Sequence, residues 1–239
     1  MGEIKMTVAI YSDGANITDM QAAYDSGVVT GFTTNPSLMK RANVTDYKAF
    51  ATEVTTTFPD LPISFEVFSD DFEGMAREAE ELAAYGDNVF VKIPVMLTDG
   101  TLTLPVIERL SHAGVNLNIT ALMTVDQVDQ VLAVLAEDTH NIISVFAGRL
   151  ADIGVDPVAV MGEAVKSVAK YPQAELLWAS TREVFNIYEA DRLGVDIITV
   201  PPTIIAKYTD GQGKKAEDLS LATVKGFAKD IAALAEIGR

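Results

Sequence analysis

Eight short apolar runs, each followed by a more polar or amphipathic stretch, constrain this chain more than any other feature. They are "MTVAIYSD" (6–13), "TGFTTN" (30–35), "PISFEVF" (62–68), "NVFVKIP" (88–94), "VNLNITAL" (115–122), "IISVFAG" (142–148), "AELLWAS" (174–180) and "DIITVPP" (196–202). Each is short and rich in Val, Ile, Thr, Phe or Leu, as buried strands are. Helical patterns lie between them. "DFEGMAREAEELAAYG" repeats its apolar residues at helical spacing, carries carboxylates early and reaches Gly86 as a stop. "TVDQVDQVLAVLAED" opens on Thr124 as an N-cap, and "VDPVAVMGEAVKSVAKY" on Asp156 followed by Pro157 at the first helical position. Strands alternating with helices imply parallel βαβ units, and eight such units in 239 residues predict a (β/α)₈ TIM barrel. An open doubly wound sheet is the rival. It has fewer strands and often a glycine-rich phosphate loop after the first, whereas "SDGAN" offers one glycine.

No internal repeat, low-complexity segment or linker interrupts the pattern, so residues 1–239 read as one barrel domain. The last stretch, "KKAEDLSLATVKGFAKDIAALAEIGR", reads as an extra C-terminal helix longer than barrel closure requires, placed to pack on a neighbouring subunit. The start of the chain shows no signal-peptide pattern, and "MGEIKM" lacks the Ser or Thr of a myristoylation signal. No apolar run approaches ~20 residues, so no membrane span is expected. The chain has no Cys, which excludes disulfides and thiol catalysis and fits a cytoplasmic setting. Net charge is −16, with 18 basic residues scattered along the chain, so a nucleic-acid-binding surface is not expected. An anionic substrate would need the few positive charges concentrated in one place.

Lys92 sits inside "NVFVKIPV", between Val91 and Ile93. Parallel strands are covered on both faces, and a buried ammonium is costly unless paired or uncharged. In a strand, residues two apart share a face. Ser64 and Glu66 share one, as do Thr33 and Asn35, Asn118 and Thr120, and Phe90 and Lys92. Asp13, Ser144 and Ser180 lie in or at the ends of other apolar strands. With the apolar parity toward the helices, these polar groups converge at the barrel axis, near the C-terminal strand ends where such barrels keep their catalytic groups. Taken singly, a polar strand-end residue is more often a cap or a loop contact, and Glu66 could be a solvated edge residue. The set is harder to dismiss than any member.

A lysine destabilised as a cation presents a neutral amine, which attacks a ketone to form a Schiff base. The iminium is an electron sink, so a neighbouring C–C bond can break. One carboxylate must then take a hydroxyl proton, and another acid/base must handle water. Asp13 and Glu66 are the carboxylates on the proposed face. His112 and His140 fall in helix-to-strand connections at the opposite end of the barrel. No His/Asp/Glu cluster has metal-ligand spacing, so neither metal nor other cofactor is expected.

These residues resemble the transaldolase family of class I Schiff-base aldolases, especially its short branch, which includes the fructose-6-phosphate aldolases. "GFTTNPS" (31–37) is the most specific element. "VFVKIP", "SDGAN", "ISFEV", "NLNIT", "SVFAGR" and Ser180-Thr181-Arg182 are similar to the family's remaining motifs, in family order over nearly the whole chain. The resemblance implies that Lys92 forms the Schiff base with a donor ketose and that Asp13 is the acid/base at the sugar C4 hydroxyl. Glu66 and Thr120 would hold the water of dehydration and hydrolysis. Asn35 and Asn118 would bind hydroxyls of the dihydroxyacetone unit, with Ser144 and Thr33 beside them, and Phe146 would pack over the three-carbon intermediate. Arg149, Ser180 and Arg182 would grip the substrate's phosphate; two of the seven arginines thus fall at strand C-terminal ends. Glu66 and Phe146 go with transaldolases in the resembled family, where the aldolases carry glutamine and tyrosine. Three places depart from the family pattern: Ser12-Asp13-Gly14, Ser144-Val145-Phe146 and Ser180-Thr181-Arg182. The last two flank the implied anion site. They leave open a sulfosugar such as 6-deoxy-6-sulfofructose in place of a sugar phosphate, a simple lyase, and a non-catalytic sugar-phosphate-binding barrel. Short members of the resembled family often form rings, so a homo-oligomer, pentamer or decamer, is expected.

Overall fold

The computed structural model describes residues 6–237, and they form two compact units that divide between Ile205 and Ala206. In the first, eight parallel strands close in chain order: β1 (Ala9–Asp13), β2 (Gly31–Thr33), β3 (Ile63–Glu66), β4 (Val89–Pro94), β5 (Leu117–Leu122), β6 (Asn141–Val145), β7 (Ala174–Trp178) and β8 (Ile197–Val200). Closure comes where β1 pairs with β8, from Ala9↔Ile197 to Ser12↔Val200. The helices are α1 (Ile17–Asp25), α2 (Pro36–Arg41), α3 (Tyr47–Thr57), α4 (Phe72–Ala83), α5 (Leu104–His112), α6 (Val125–Leu132), α7 (Ala147–Asp152), α8 (Pro157–Val168), α9 (Phe185–Leu193) and α10 (Pro202–Gly211). The barrel is the (β/α)₈ TIM fold expected from the alternation.

Local chemistry starts these helices where the sequence places its caps. Thr124 and Gln127 form a reciprocal capping box at α6, and the Asp156 carboxylate accepts from the Val158 N–H ahead of α8. Asp71 caps α4 through the Gly74 N–H. Gly86 does not act as a left-handed stop. Helix α4 already ends at its C-cap, Ala84, and the chain turns out through Tyr85 N–H to Leu82 O and Gly86 N–H to Ala83 O bonds. Five strands end sooner than their apolar runs, the third at Glu66. Asn35 leaves the second run to cap α2, and Phe146–Gly148 leave the sixth to begin α7. Ser180 leaves the seventh with a left-handed φ of 66°, and Pro202 opens α10 after the eighth.

The two strand faces make two cores. Phe32, Phe65, Val91, Ile93, Ile119, Ile143, Val145 and Ile198, all fully buried, have the parity that faces the helices. The other parity fills the barrel with Tyr11, Phe90, Ile142, Leu177, Ala179 and Ile197. Gly31 makes room in that interior, since a Cβ there would lie 2.6 Å from the Tyr11 ring. Above this apolar plug, toward the C-terminal strand ends, the inward residues turn polar. In the second unit, α11 (Ala216–Ile237) is the expected long C-terminal helix. Its Leu219, Leu221, Val224, Phe227, Ile231 and Leu234 are each more than half exposed in the single chain.

Candidate active site

All twelve site residues singled out from the sequence line one cavity of about 700 Å³ at the C-terminal end of the strands. Strand register brings the central ones together: Glu66 lies opposite Lys92, and Lys92 opposite Asn118. Lys92 is 6% exposed, and its ammonium is not alone. Nζ donates to the Thr34 carbonyl at 2.7 Å and pairs with Glu66 Oε2 at 3.2 Å. The charge is therefore accommodated by a partner on the next strand, not by the apolar neighbours that the local sequence shows. The Tyr47 hydroxyl donates to the Glu66 carbonyl at 2.8 Å and fixes the end of β3. Burial pushes the Tyr47 hydroxyl well above the ordinary tyrosine range, which keeps it a donor.

Asn118 is held on both sides. Its Nδ2 donates to Ser64 Oγ at 3.0 Å, and its Oδ1 accepts from Ser144 Oγ at 2.6 Å. Thr120, two residues on, is 2% exposed. Its Oγ1 is buried and has no hydrogen-bond partner among the described residues. Across the barrel, Thr33 donates to Asp13 Oδ1 at 2.9 Å and makes a short contact with Thr199 Oγ1. Thr33 has one hydroxyl proton, so Thr199 is the donor in that contact. Burial raises the Asp13 carboxyl above its ordinary range, opposed by Lys92, by the Thr33 hydrogen bond and by Arg41. Asn35 has two duties: its Oδ1 caps α2 through the Leu38 N–H at 3.0 Å, and its side chain also borders the cavity.

The outer wall carries the arginines. The Arg149 guanidinium stands 5.5 Å above the Phe146 ring. Arg182 donates from Nε to Asp152 Oδ1 at 3.0 Å, from Nη2 to Oδ2 at 2.5 Å, and from Nη1 to the Ser180 carbonyl at 3.1 Å. Gly148 is required there, because a Cβ would fall 1.7 Å from the Ser180 carbonyl oxygen. Two of the three departures from the family pattern now have physical readings. Val145 is fully buried and does not border the cavity, while the Thr181 hydroxyl ties the β7 loop to β8 through the Thr199 carbonyl at 2.7 Å.

Sequence reasoning missed Arg41, Thr199 and Asp152. Arg41 ends α2 and borders the cavity, making it a third arginine there. Thr199 shares its strand face with Ile197, so the parity rule applied to "DIITVPP" would have found it. Nothing in the local sequence marks Asp152. The histidines lie elsewhere. His112 is the last residue of α5 and not in a connection, its ring Nδ1 bonded to the Glu108 carbonyl as in a helix's final turn. His140 precedes β6 and pairs with Glu175 at 2.5 Å. Among the described residues no three His, Asp or Glu side chains gather as a metal site.

The match to known proteins decides the lineage. The family model for transaldolase/fructose-6-phosphate aldolase matches residues 10–237. The chain belongs to the transaldolase/fructose-6-phosphate aldolase family. It is 37% identical over 202 residues to a protein named "Probable transaldolase" from Caldicellulosiruptor saccharolyticus, covering 84% of this chain and 88% of that one. A protein of the same name from Nitrosopumilus maritimus is 36% identical over 202 residues, covering 83% and 86%. Among solved structures, 3-hexulose-6-phosphate synthase from Salmonella typhimurium shares the fold at a TM-score of 0.56 and 15% identity, covering 84% of this chain and 91% of that one. KGPDC from Streptococcus mutans does so at 0.54 and 11%, covering 83% and 89%. Membership supports an enzyme of transaldolase or aldolase type, and no helix among the described residues is long and apolar enough to cross a membrane.

Proposed function

We propose that the protein is a Schiff-base transaldolase that moves a dihydroxyacetone unit from a ketose with an anionic end to an aldose acceptor. The observation that carries this is the placement of Lys92 Nζ: buried at the mouth of the barrel, 3.2 Å from a carboxylate that can take its proton. In this reading Glu66 accepts a proton from Lys92, and the amine attacks the C2 carbonyl of the donor. The carbinolamine loses water, handled by Glu66 and by the Thr120 hydroxyl, which has no hydrogen-bond partner among the described residues. Asp13 then takes the proton of the C4 hydroxyl, the C3–C4 bond breaks, and the bond electrons enter the iminium to give an enamine on Lys92. The aldehyde leaves. An acceptor aldehyde is attacked by the enamine carbon, Asp13 returns the proton, and water releases the new ketose. The fixed Asn118 amide, with Asn35, Thr33 and Ser144, would hold the three-carbon hydroxyls, Phe146 would cover the intermediate, and Arg149, Ser180 and Arg182 would receive the anionic end.

The same site could run as a lyase, releasing free dihydroxyacetone. Glu66 and Phe146, both at the cavity, favour transfer by the family comparison made above. Product analysis with a ketose phosphate donor, with and without an aldose phosphate acceptor, tests the choice. Transfer predicts a new ketose that forms only with acceptor; equal release of dihydroxyacetone in both arms makes it a lyase. The enzyme is further proposed to work in the cytoplasm as a homo-oligomer that covers the apolar row of α11.

A further inference from the structure

Thr199 is 6% exposed, borders the cavity and has no task in the chemistry proposed above. A buried strand takes valine as readily as threonine, and a buried hydroxyl is costly unless hydrogen-bonded, so packing alone does not account for it. β1 lies between β2 and β8, with Thr33 opposite Asp13 and Thr199 opposite Tyr11. The two threonines flank β1, and their hydroxyls meet across its inner face. The proton order is fixed when Asp13 is ionised. The carboxylate can only accept, Thr33 gives its single proton to Asp13 Oδ1, and Thr199 gives its own to Thr33. The Thr199 main chain is held as well, because its carbonyl accepts from the Thr181 hydroxyl at 2.7 Å. Lys92 on β4, Arg41 at the end of α2 and Glu66 on β3 are the other charged groups that act on Asp13.

We propose that Thr199 is a positioning residue that acts through Thr33: it points the Thr33 hydroxyl at Asp13 and favours the ionised carboxylate that takes the C4 proton. This rests on the reading of Asp13 as the acid/base. A proton donated into the Thr33 oxygen polarises the Thr33 O–H, and each bond of such a chain strengthens the next by about 10–30%. A hydrogen bond to a carboxylate is roughly twice as strong as one to a neutral acid. The chain therefore supports ionised Asp13 more than protonated Asp13. Without the Thr199 hydroxyl, Thr33 still faces Asp13 but donates less strongly. A role confined to packing would be different in kind, because its loss would weigh equally on both forms of Asp13.

Thr199→Val and Thr33→Val, singly and together, test this in the pH profile of kcat/KM, with fructose 6-phosphate as donor and erythrose 4-phosphate as acceptor. The acid limb of Thr199→Val should move to higher pH, so that on the limb it loses about two- to threefold more activity than on the plateau. Thr199→Ser, which keeps the hydroxyl, should keep the limb of the unmodified protein. Added to Thr33→Val, the second substitution should leave the limb where Thr33→Val put it, because Thr199 acts only through Thr33. Additive shifts would mean that Thr199 acts on Asp13 or the substrate directly, and would overturn the proposal. So would a limb that stays or moves down in Thr199→Val while Thr33→Val moves it up, a result that leaves the Asp13 reading standing. A limb that moves in neither variant would remove Asp13 as the base and this inference with it.

Urea unfolding reads the same chain without a substrate. Burial makes ionised Asp13 the less stable form in the folded protein, and the chain supports that form. The stability lost in Thr199→Val should therefore grow as pH rises through the raised Asp13 value, by about two- to threefold in the unfolding equilibrium constant. Thr199→Ala, which only removes atoms, carries the same expectation if the valine is not accommodated. A loss that is the same on both sides of that value would mean that the two hydroxyls merely satisfy each other, and would overturn the proposal.

Discussion

The Lys92–Glu66 pair should be a measurable energetic unit, and Glu66→Gln is the perturbation that exposes it. The charges lie 3.2 Å apart with side-chain exposures of 7% and 17%. At an effective dielectric constant of about 20 their gross attraction is about 5 kcal/mol, much of it offset by desolvation. Breaking such a pair on one side leaves a buried charge unmatched, at about 3–5 kcal/mol when burial is complete. Glutamine keeps an acceptor oxygen and Glu66 is partly exposed, so the expected loss in Glu66→Gln is about 2–3 kcal/mol. Lys92→Met leaves a carboxylate that can still reach some water and should lose about 1–2 kcal/mol. The double variant, with neither charge, should lie close to the unmodified protein, giving a coupling of about 2 kcal/mol or more in a double-mutant cycle. Urea unfolding followed by fluorescence reads this in the right place, because Trp178 is the only tryptophan and is 1% exposed in the barrel. A coupling below about 0.5 kcal/mol would refute the idea that Glu66 is what accommodates the buried lysine.

Thr120→Val should separate chemistry from stability. Its hydroxyl makes no hydrogen bond among the described residues, so urea stability should hold within about 1 kcal/mol, while turnover falls about 10²–10⁴-fold. The acid limb of kcat/KM should lie above the ordinary carboxylate range, because burial raises Asp13 and only its ionised form can take the C4 proton. Activity is lost as pH falls through that raised value. Thr33→Val removes a hydrogen bond that holds Asp13 down and should move the limb to higher pH; a limb that moves down or stays would assign it to another group.

Much of the fold was legible because it is written in local periodicity. Eight apolar runs, the Thr124 and Asp156 caps and the two-residue parity all act within a few residues, and the strand faces follow directly from them. The parity rule gathered Lys92, Asp13, Asn118 and Thr120 to one cavity before any contact was known. What escaped depends on pairing across the sheet. That Lys92 is held by Glu66 follows from the register between β3 and β4, which no local pattern states. The local sequence shows the apolar neighbours of Lys92 and not the carboxylate that stands beside its amine. Arg182 and Asp152 meet only because α7 and the β7 loop pack around Gly148, thirty residues apart in sequence at the ion pair itself. The short helices α2 and α7 were hidden for the same kind of reason. Each begins inside an apolar run whose last residues look like strand until Asn35 or Phe146 turns the chain.

The central claim is that Lys92 is the nucleophile. Incubation with a ketose phosphate donor and borohydride, followed by peptide mass spectrometry, reads it directly. The account predicts a reduced adduct on Lys92, carrying a three-carbon unit when the aldehyde product is removed, and no adduct in Lys92→Met. An adduct on another lysine, or turnover of the donor with Lys92 unmodified, would contradict it.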